Sequence, residues 1–444
     1  MDIFKAFFGV LMFQFLLALI FPSILFSAKI ICPARSFVDQ EIAIAITDLP
    51  LNQEVTLELL FTDRKNNLWN SEATYFSSSK GRVDLKAQSP TSGSYEGVDP
   101  MGLFYAMNSC NPRLDKPSLT ENKIIYTLNV YGKGKQLSSK TFERYILAPE
   151  VEVIPVRERG LNGRLFLPSL EGKQPVVIIL PGSSGGFGAT RAGLVASNGI
   201  ATLALAYFGE EGLPSNLEHV SLEYFEETFA YIDNHTRLSG EIYLYGVSRG
   251  AELALILAAA FPDRISKTVA ALPSSVVFGA LNKPNTDAWL LGGKPFAPKA
   301  PVPIWRIDPS AGLERSNPLK TADLMSSGKA LFPNEWELAA IPVEKIKGPL
   351  LLISGEEDGM WHSSMFGVDI MKRLDRKQSK IEREHLSYSD AGHGISYPFI
   401  PHSNLYFHPV AKRWFTLGGT QKGDEFASRD SWKKIIDFLG NKNE

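Results

Sequence analysis

From Ile30 to about Leu147 the apolar residues recur with a period of two. Ile42, Ile44 and Ile46 alternate with small residues, and Val55, Leu57, Leu59 and Phe61 alternate mostly with polar ones. The same pattern predicts strands over Arg82 to Ala87, Lys123 to Tyr131 and Leu137 to Tyr145. Short strands broken by Pro, Asn, Gly and Ser point to an antiparallel, immunoglobulin-like β-sandwich over residues 29–150. This part holds no helix longer than a turn or two and no cluster of catalytic residue types. Pro149 and the Val151-Glu152-Val153-Ile154-Pro155 stretch read as a linker. After Arg164 the pattern changes to continuous apolar runs at Val176–Leu180, Ile200–Ala206, Ile242–Tyr245, Lys267–Leu272 and Leu350–Ile353. Helical stretches at Ala189–Asn198, Asn216–Asn234 and Ala251–Phe261 separate them. Strands alternating with helices predict a mostly parallel sheet covered on both faces, over residues 160–444. Ligands of such sheets bind at the C-terminal ends of the strands.

The N-terminus carries a different signal. Residues Ala6 to Ala28 are uncharged and rich in Phe, Leu and Ile. A secretory signal has an apolar stretch of ~7–15 residues, whereas a spanning helix needs ~20. The length favours an uncleaved anchor, and Phe26 is bulky for a cleavage site at Ala28. Residues 1–28 therefore read as a membrane anchor or a signal peptide, and the protein as membrane-anchored or exported. The flanking charges, Lys5 on one side and Lys29 and Arg35 on the other, do not fix the orientation.

Composition narrows the class. The 444 residues are 44 % hydrophobic and 21 % charged, which is ordinary for a globular protein with real cores. Lys and Arg total 46 against 48 Asp and Glu, a net charge of -2 with no basic excess, which argues against nucleic acid as a partner. Two cysteines, Cys32 and Cys110, are too few for a disulfide framework or a four-thiolate zinc site; one disulfide or two free thiols remain open.

The chemistry is concentrated after the run Ile242–Tyr245, where Gly246-Val247-Ser248-Arg249-Gly250 leads into the helix from Ala251. A Gly-x-Ser-x-Gly turn between strand and helix holds its serine exposed in a strained conformation. A serine hydroxyl needs a base and an acid to orient that base, and in this fold the chain order is Ser, acid, His. His393 sits between glycines in Asp390-Ala391-Gly392-His393-Gly394, just past the candidate strand Glu384–Tyr388, where the base belongs. The acid belongs after Leu350–Ile353, in Ser354-Gly355-Glu356-Glu357-Asp358-Gly359. Asp358 is the choice, with Glu357 in reserve. Asp358 and His362 are spaced like half a metal site, but no further His or Cys completes a shell, so no metal is expected. One oxyanion donor is the Arg249 amide, and a second belongs to the loop Pro181-Gly182-Ser183-Ser184-Gly185-Gly186. Without Lys-Ser or Lys-Thr after Gly186, that loop is a weak nucleotide cradle.

With these residues in hand, the chain resembles the serine acyl-CoA thioesterases and bile acid-CoA:amino acid N-acyltransferases over nearly everything after Ile30. The likeness rests on Gly93-Ser94-Tyr95-Glu96-Gly97-Val98-Asp99-Pro100-Met101-Gly102-Leu103, on Ala204-Leu205-Ala206-Tyr207-Phe208 and on Leu222-Glu223-Tyr224-Phe225-Glu226-Glu227. Leu417-Gly418-Gly419-Thr420 followed by Asp430-Ser431-Trp432 resembles the family's terminal helix region. The resemblance implies an α/β-hydrolase domain behind a β-sandwich, a triad of Ser248, Asp358 and His393, an acyl-CoA substrate and no cofactor. It also implies an oxyanion site on the Arg249 amide and an amide of Ser183 or Ser184. The amino-acid-conjugating branch carries Cys as nucleophile, so Ser248 favours hydrolysis to a free acid. Acyl transfer to an amine or general ester cleavage on the same triad is the alternative, and a non-catalytic scaffold a third reading. The Gly355-Glu356-Glu357-Asp358-Gly359 run departs from the family's usual Gly-x-Asp-Asp, and the apolar N-terminus departs further. Phe278 to Glu337 reads as a lid that sets acyl length; Arg306, Arg315 and Lys320 read as solvated cations.

Overall fold

The computed structural model describes residues 28–440 apart from 112, 120 and 121. The anchor or signal expected at 1–28 lies outside the described residues but for Ala28. Among the described residues no helix is long and apolar enough to cross a membrane.

The N-terminal part is sheet-rich. A seven-stranded sheet runs in the order Arg35–Phe37, Lys135–Tyr145, Lys123–Gly132, Glu54–Thr62, Leu68–Phe76, Ser92–Gly93, with Asn108–Ser109 also paired to Leu68–Phe76. A three-stranded sheet of Lys29–Ile31, Ala45–Thr47 and Val83–Asp84 shares its core. Along Glu54–Thr62 the inward residues Val55, Leu57, Leu59 and Phe61 are buried and their neighbours are not, as the period of two requires. The pairing is mixed, because Arg35–Phe37 runs parallel to Glu143–Tyr145. The strands expected at Ile42–Ile46 and Arg82–Ala87 shrink to Ala45–Thr47 and Val83–Asp84.

The stretch read as a linker is instead the first strand of the second sheet. That eight-stranded sheet comprises β1 (Glu152–Val156), β2 (Asn162–Leu167), β3 (Gln174–Leu180), β4 (Ala201–Ala206), β5 (Leu238–Val247), β6 (Ile265–Ala271), β7 (Leu350–Gly355) and β8 (Arg383–Tyr388). Its order is β1-β2-β4-β3-β5-β6-β7-β8. β2 runs antiparallel to both its neighbours, and β3 to β8 are parallel. Pro155 is tolerated in β1 because an edge strand leaves one row of N–H positions unpaired. Helices α1 (Ala189–Ser197), α2 (Glu223–Asn234), α3 (Arg249–Ala260), α4 (Ser363–Arg376) and α5 (Gln421–Leu439) cover the faces. α2 starts later than its hydrophobic pattern suggested, because Val220–Ser221 pairs with Trp289–Leu290 instead. This strand order and the β5–turn–α3 unit are those of an α/β hydrolase.

The two parts do not keep separate cores. Ile46, Phe142 and Ile146 belong to one apolar cluster with Val177, Ile179, Leu194 and Trp432. The fully buried Arg144 guanidinium donates to the carbonyls of Phe37 (2.8 Å), Val38 (3.0 Å) and Gln40, and lies over the rings of Phe104 and Phe399. Arg429 on α5 holds Asp99 through both carboxylate oxygens, at 2.9 and 3.0 Å.

Candidate active site

Ser248 stands between the last residue of β5 and the first of α3, with φ 58° and ψ −121°. A non-glycine residue rarely adopts such a backbone, and here the sheet and helix on either side impose it. Two glycines make the turn feasible. A Cβ on Gly246 would overlap the Gly250 carbonyl, and one on Gly250 would overlap the carbonyls of Leu180 and Pro181. The Ser248 N–H is tied to the Ala271 carbonyl at 2.9 Å, so the neighbouring strand fixes the turn from below.

The acid and base loops bring their side chains to this serine. Ser248 Oγ lies 2.9 Å from His393 Nε2, and His393 Nδ1 lies 2.7 Å from Asp358 Oδ2. A carboxylate can only accept, so Nδ1 carries the proton and Nε2 is left to accept from the serine hydroxyl. The Asp358 side chain is wholly buried and that of His393 is 9 % exposed. The other oxygen of Asp358 accepts the N–H groups of Met360 (2.9 Å) and Trp361 (3.2 Å), which fixes the carboxylate plane. The Trp361 ring stands edge-on to the imidazole, with centroids 5.8 Å apart. Glu357, the reserve acid, is exposed. His362 is paired with Asp323 at 2.9 Å and so parts from Asp358. Among the described residues no cluster of metal-ligating side chains occurs.

One backbone carbonyl governs the spacing of acid and base. The Leu417 oxygen accepts the N–H of Gly359 (2.9 Å) from the acid loop and the N–H of His393 (2.8 Å) from the base loop. Gly418 follows with φ 74°, and a Cβ there would overlap the Glu357 carbonyl. The Leu417–Gly419 stretch, expected in a terminal helix region, thus precedes α5 as a clasp between the two loops.

The Gly-rich loop after β3 lies against the serine. A Cβ on Gly182 would stand 3.3 Å from the Ser248 Cβ, and Ser183 lines cavities on both sides of Ser248. The Arg249 amide is the first N–H of α3, and like the amides of Ser183 and Ser184 it donates to no backbone carbonyl among the described residues. The side chains of the two serines are held by a hairpin of Leu405–His408 and Arg413–Thr416: Ser184 Oγ meets the Tyr406 hydroxyl and Ser183 Oγ meets His408 Nε2 at 2.8 Å. His408 Nδ1 accepts the N–H groups of Val410 and Ala411, so Nε2 is the protonated nitrogen and donates to Ser183. Burial, and then the Lys116 charge, push His408 down to about 4, which keeps it neutral near pH 7.

His408 and Asp424 were not singled out by sequence. Asp424 Oδ1 accepts the Gly392 N–H at 2.7 Å, and its buried Oδ2 has no partner. Desolvation pushes its carboxyl up to about 6. Neither residue has a local signature, since each acquires its role from segments far away in the chain.

Two cavities meet at Ser248 and His393. One, of about 440 Å³, is walled by Phe278, Ile304, Ile307, Leu324, Met325 and Trp361, so the Phe278–Glu337 segment does overhang the serine. Arg249, beside this wall, is paired with Glu252 at 3.0 Å, and Glu252 accepts from Trp289 Nε1 (2.7 Å) and the Phe278 N–H (3.2 Å). The second cavity, of about 680 Å³, has a mixed polar and apolar lining drawn from both the N-terminal and the hydrolase parts of the chain. Arg306, Arg315 and Lys320 line neither cavity. Cys32 and Cys110 are both free thiols.

Residues 220–443 match the family described as BAAT / acyl-CoA thioester hydrolase C terminal, and residues 39–158 match the acyl-CoA thioester hydrolase/BAAT N-terminal region. A peroxisomal succinyl-coenzyme A thioesterase of Mus musculus is 33 % identical over 414 residues, covering 91 % of this chain and 94 % of that protein. Acyl-coenzyme A thioesterase 6 of Mus musculus is 34 % identical over 91 % of this chain and 94 % of that protein. Acyl-coenzyme A amino acid N-acyltransferase 1 of Mus musculus is 30 % identical over 92 % of this chain and 95 % of that protein. Among solved structures, an esterase of Pyrobaculum calidifontis superposes with a TM-score of 0.40 at 16 % identity, covering 66 % of this chain and 84 % of that one. The chain belongs to the BAAT/acyl-CoA thioester hydrolase family.

Proposed function

We propose that this protein hydrolyses acyl-CoA thioesters through an acyl-enzyme on Ser248. The observation that carries this reading is the hydrogen-bonded run Ser248–His393–Asp358 at the mouth of an apolar cavity. Ser248 Oγ attacks the thioester carbonyl as its proton passes to His393 Nε2, and Asp358 holds the imidazole and stabilises the imidazolium. The carbonyl oxygen becomes an oxyanion that accepts from the Arg249 amide and from an amide of Ser183 or Ser184; one such donor is worth ~3–4 kcal/mol in the transition state. Collapse breaks the C–S bond, and the CoA sulfur leaves with the proton from His393. Water then attacks the acyl ester with His393 as base, releasing the free acid and restoring the serine. The acyl chain lies in the cavity walled by Phe278, Ile304 and Met325.

Transfer of the acyl group to an amine shares every step up to the acyl-enzyme, and one relative is named as an N-acyltransferase. Serine as nucleophile supports hydrolysis over that alternative. The test is thiol release from acyl-CoAs of increasing chain length, run with and without glycine or taurine while free acid and amide are quantified. Thiol and acid release lost by at least ~10³-fold in Ser248→Ala supports the reading; amide as the main product, or release that survives in the variant, overturns it. The length of the uncharged run at 6–28 supports an anchor or export segment, and carbonate extraction of membranes carrying the full chain checks it: recovery of uncleaved protein in the supernatant rules out an anchor.

A further inference from the structure

A thioester bound at Ser248 has two arms, and the apolar cavity accommodates only the acyl one. The other arm must leave through the cavity of about 680 Å³, which also reaches Ser248 and His393. Its lining comes from both halves of the chain. The N-terminal part supplies Arg64, Asp115 and Lys116; the hydrolase part supplies the Gly182–Gly188 loop, Arg191 and Tyr406. Three cations therefore face one carboxylate, in a chain whose overall charge is -2. Asp115 is already engaged by the Phe407 N–H at 2.6 Å.

Lys116 has the Asp115 carboxylate as an electrostatic neighbour, but among the described residues no direct ion pair ties down any of the three cations. Surface cations such as Arg237 and Lys283, by contrast, are paired with Glu152 and Glu218. Lys116 Nζ sits 4.2 Å above the Tyr406 ring, whose hydroxyl meets Ser184 in the Gly-rich loop. Arg191 lies over Tyr245 (5.3 Å) and Tyr397 (5.9 Å), and its buried Nε has no partner. The Arg64 N–H is bonded to the Ser118 carbonyl at 2.9 Å, which holds the Arg64 loop against the loop that carries Lys116. Surplus positive charge in a walled cleft focuses the field and concentrates anions there.

We infer that this cleft binds the phosphate-bearing nucleotide half of the CoA thioester, with Arg64 and Lys116 of the N-terminal domain as its phosphate contacts. The inference rests on the acyl-CoA reading and gives the N-terminal domain a direct part in substrate recognition. Arg191, three residues past Gly188 in the same cleft lining, adds a cation from the hydrolase side.

The test is the full chain with Arg64→Glu and Lys116→Glu together. It is assayed on one acyl group carried by CoA, by dephospho-CoA and by N-acetylcysteamine, which has no phosphate. The readout is the ratio of kcat/KM on the CoA substrate to that on the N-acetylcysteamine substrate. That ratio is expected to fall about tenfold or more, through KM, and the salt dependence of KM for the CoA substrate is expected to flatten. Arg64→Gln with Lys116→Met gives a milder version should the reversal impair folding, and is expected to lower the ratio severalfold. An unchanged ratio in a folded variant overturns the assignment of the cleft while leaving the thioesterase reading intact. A wild-type protein that cleaves the N-acetylcysteamine thioester but no CoA thioester overturns the function itself.

Discussion

Ser248 holds a backbone conformation that costs ~1–3 kcal/mol for a residue with a Cβ. Glycine relieves that strain, at a cost of ~0.5–1 kcal/mol from the greater freedom of the unfolded chain. Ser248→Gly is therefore expected to be inactive yet to melt at or above Ser248→Ala; a clearly lower melting temperature would show that the turn is not strained. Asp424 provides a pH signature. Its carboxyl is raised from 3.8 to about 6 by burial, so the folded chain binds this proton more tightly than the unfolded one. The contribution is favourable below about pH 4 and is lost as the pH rises through about 6; a shift of this size corresponds to about 3 kcal/mol. Asp424→Asn can still accept the Gly392 N–H and carries no such dependence. Denaturant melts from pH 4 to pH 7 should show the wild type losing stability relative to this variant. A constant difference across that range would mean that Asp424 is solvated.

At the level of elements, the active geometry depends on one shared carbonyl. Because the Leu417 oxygen binds both Gly359 and His393, the acid and base loops are positioned by the same clasp. Gly418→Ala would press a methyl group into the Glu357 carbonyl and displace the acid loop. We expect kcat to fall at least about tenfold with KM little altered, as befits a loss of preorganisation rather than of binding; an equal rise in KM would point to a disturbed cavity instead. Much of this was legible from sequence, for local reasons. The Gly246–Gly250 turn announces itself because an apolar strand, two obligatory glycines and a helix are contiguous, and the order of serine, acid and histidine follows from the fold. Residues 151–155 read as a linker because five residues containing a proline look like a break, and only pairing with β2 makes Glu152–Val156 an edge strand. Leu68–Phe76 escaped notice because its inward positions include Ser71 and Ala73, so no apolar alternation marks it. The roles of His408 and Asp424 were not legible because the partners that define them, Ser183 and Gly392, lie 225 and 32 residues away.

The whole molecule is held by a core that crosses from one sheet system to the other. The Arg144 guanidinium over the Phe399 ring, the Asp99–Arg429 pair and the hydrogen bond from Trp432 Nε1 to Asp39 (3.0 Å) reinforce that join. Asp99 belongs to the Gly93–Leu103 stretch that marks the family resemblance, so at least part of that motif serves the join. Thermal unfolding is expected as a single calorimetric transition, and a fragment starting at residue 160 is expected to be insoluble because it would bare Leu194 and Trp432. Two resolved transitions would show the halves to be independent. The placement of Ser248 where two cavities join also dictates an order of events. On the proposed reading, the thiol product departs by its own doorway while the acyl chain stays anchored on the serine, and the same doorway then admits the acceptor. Spent coenzyme lingering there would block water and amine alike, so turnover should follow a ping-pong course in which free CoA competes with whatever arrives second.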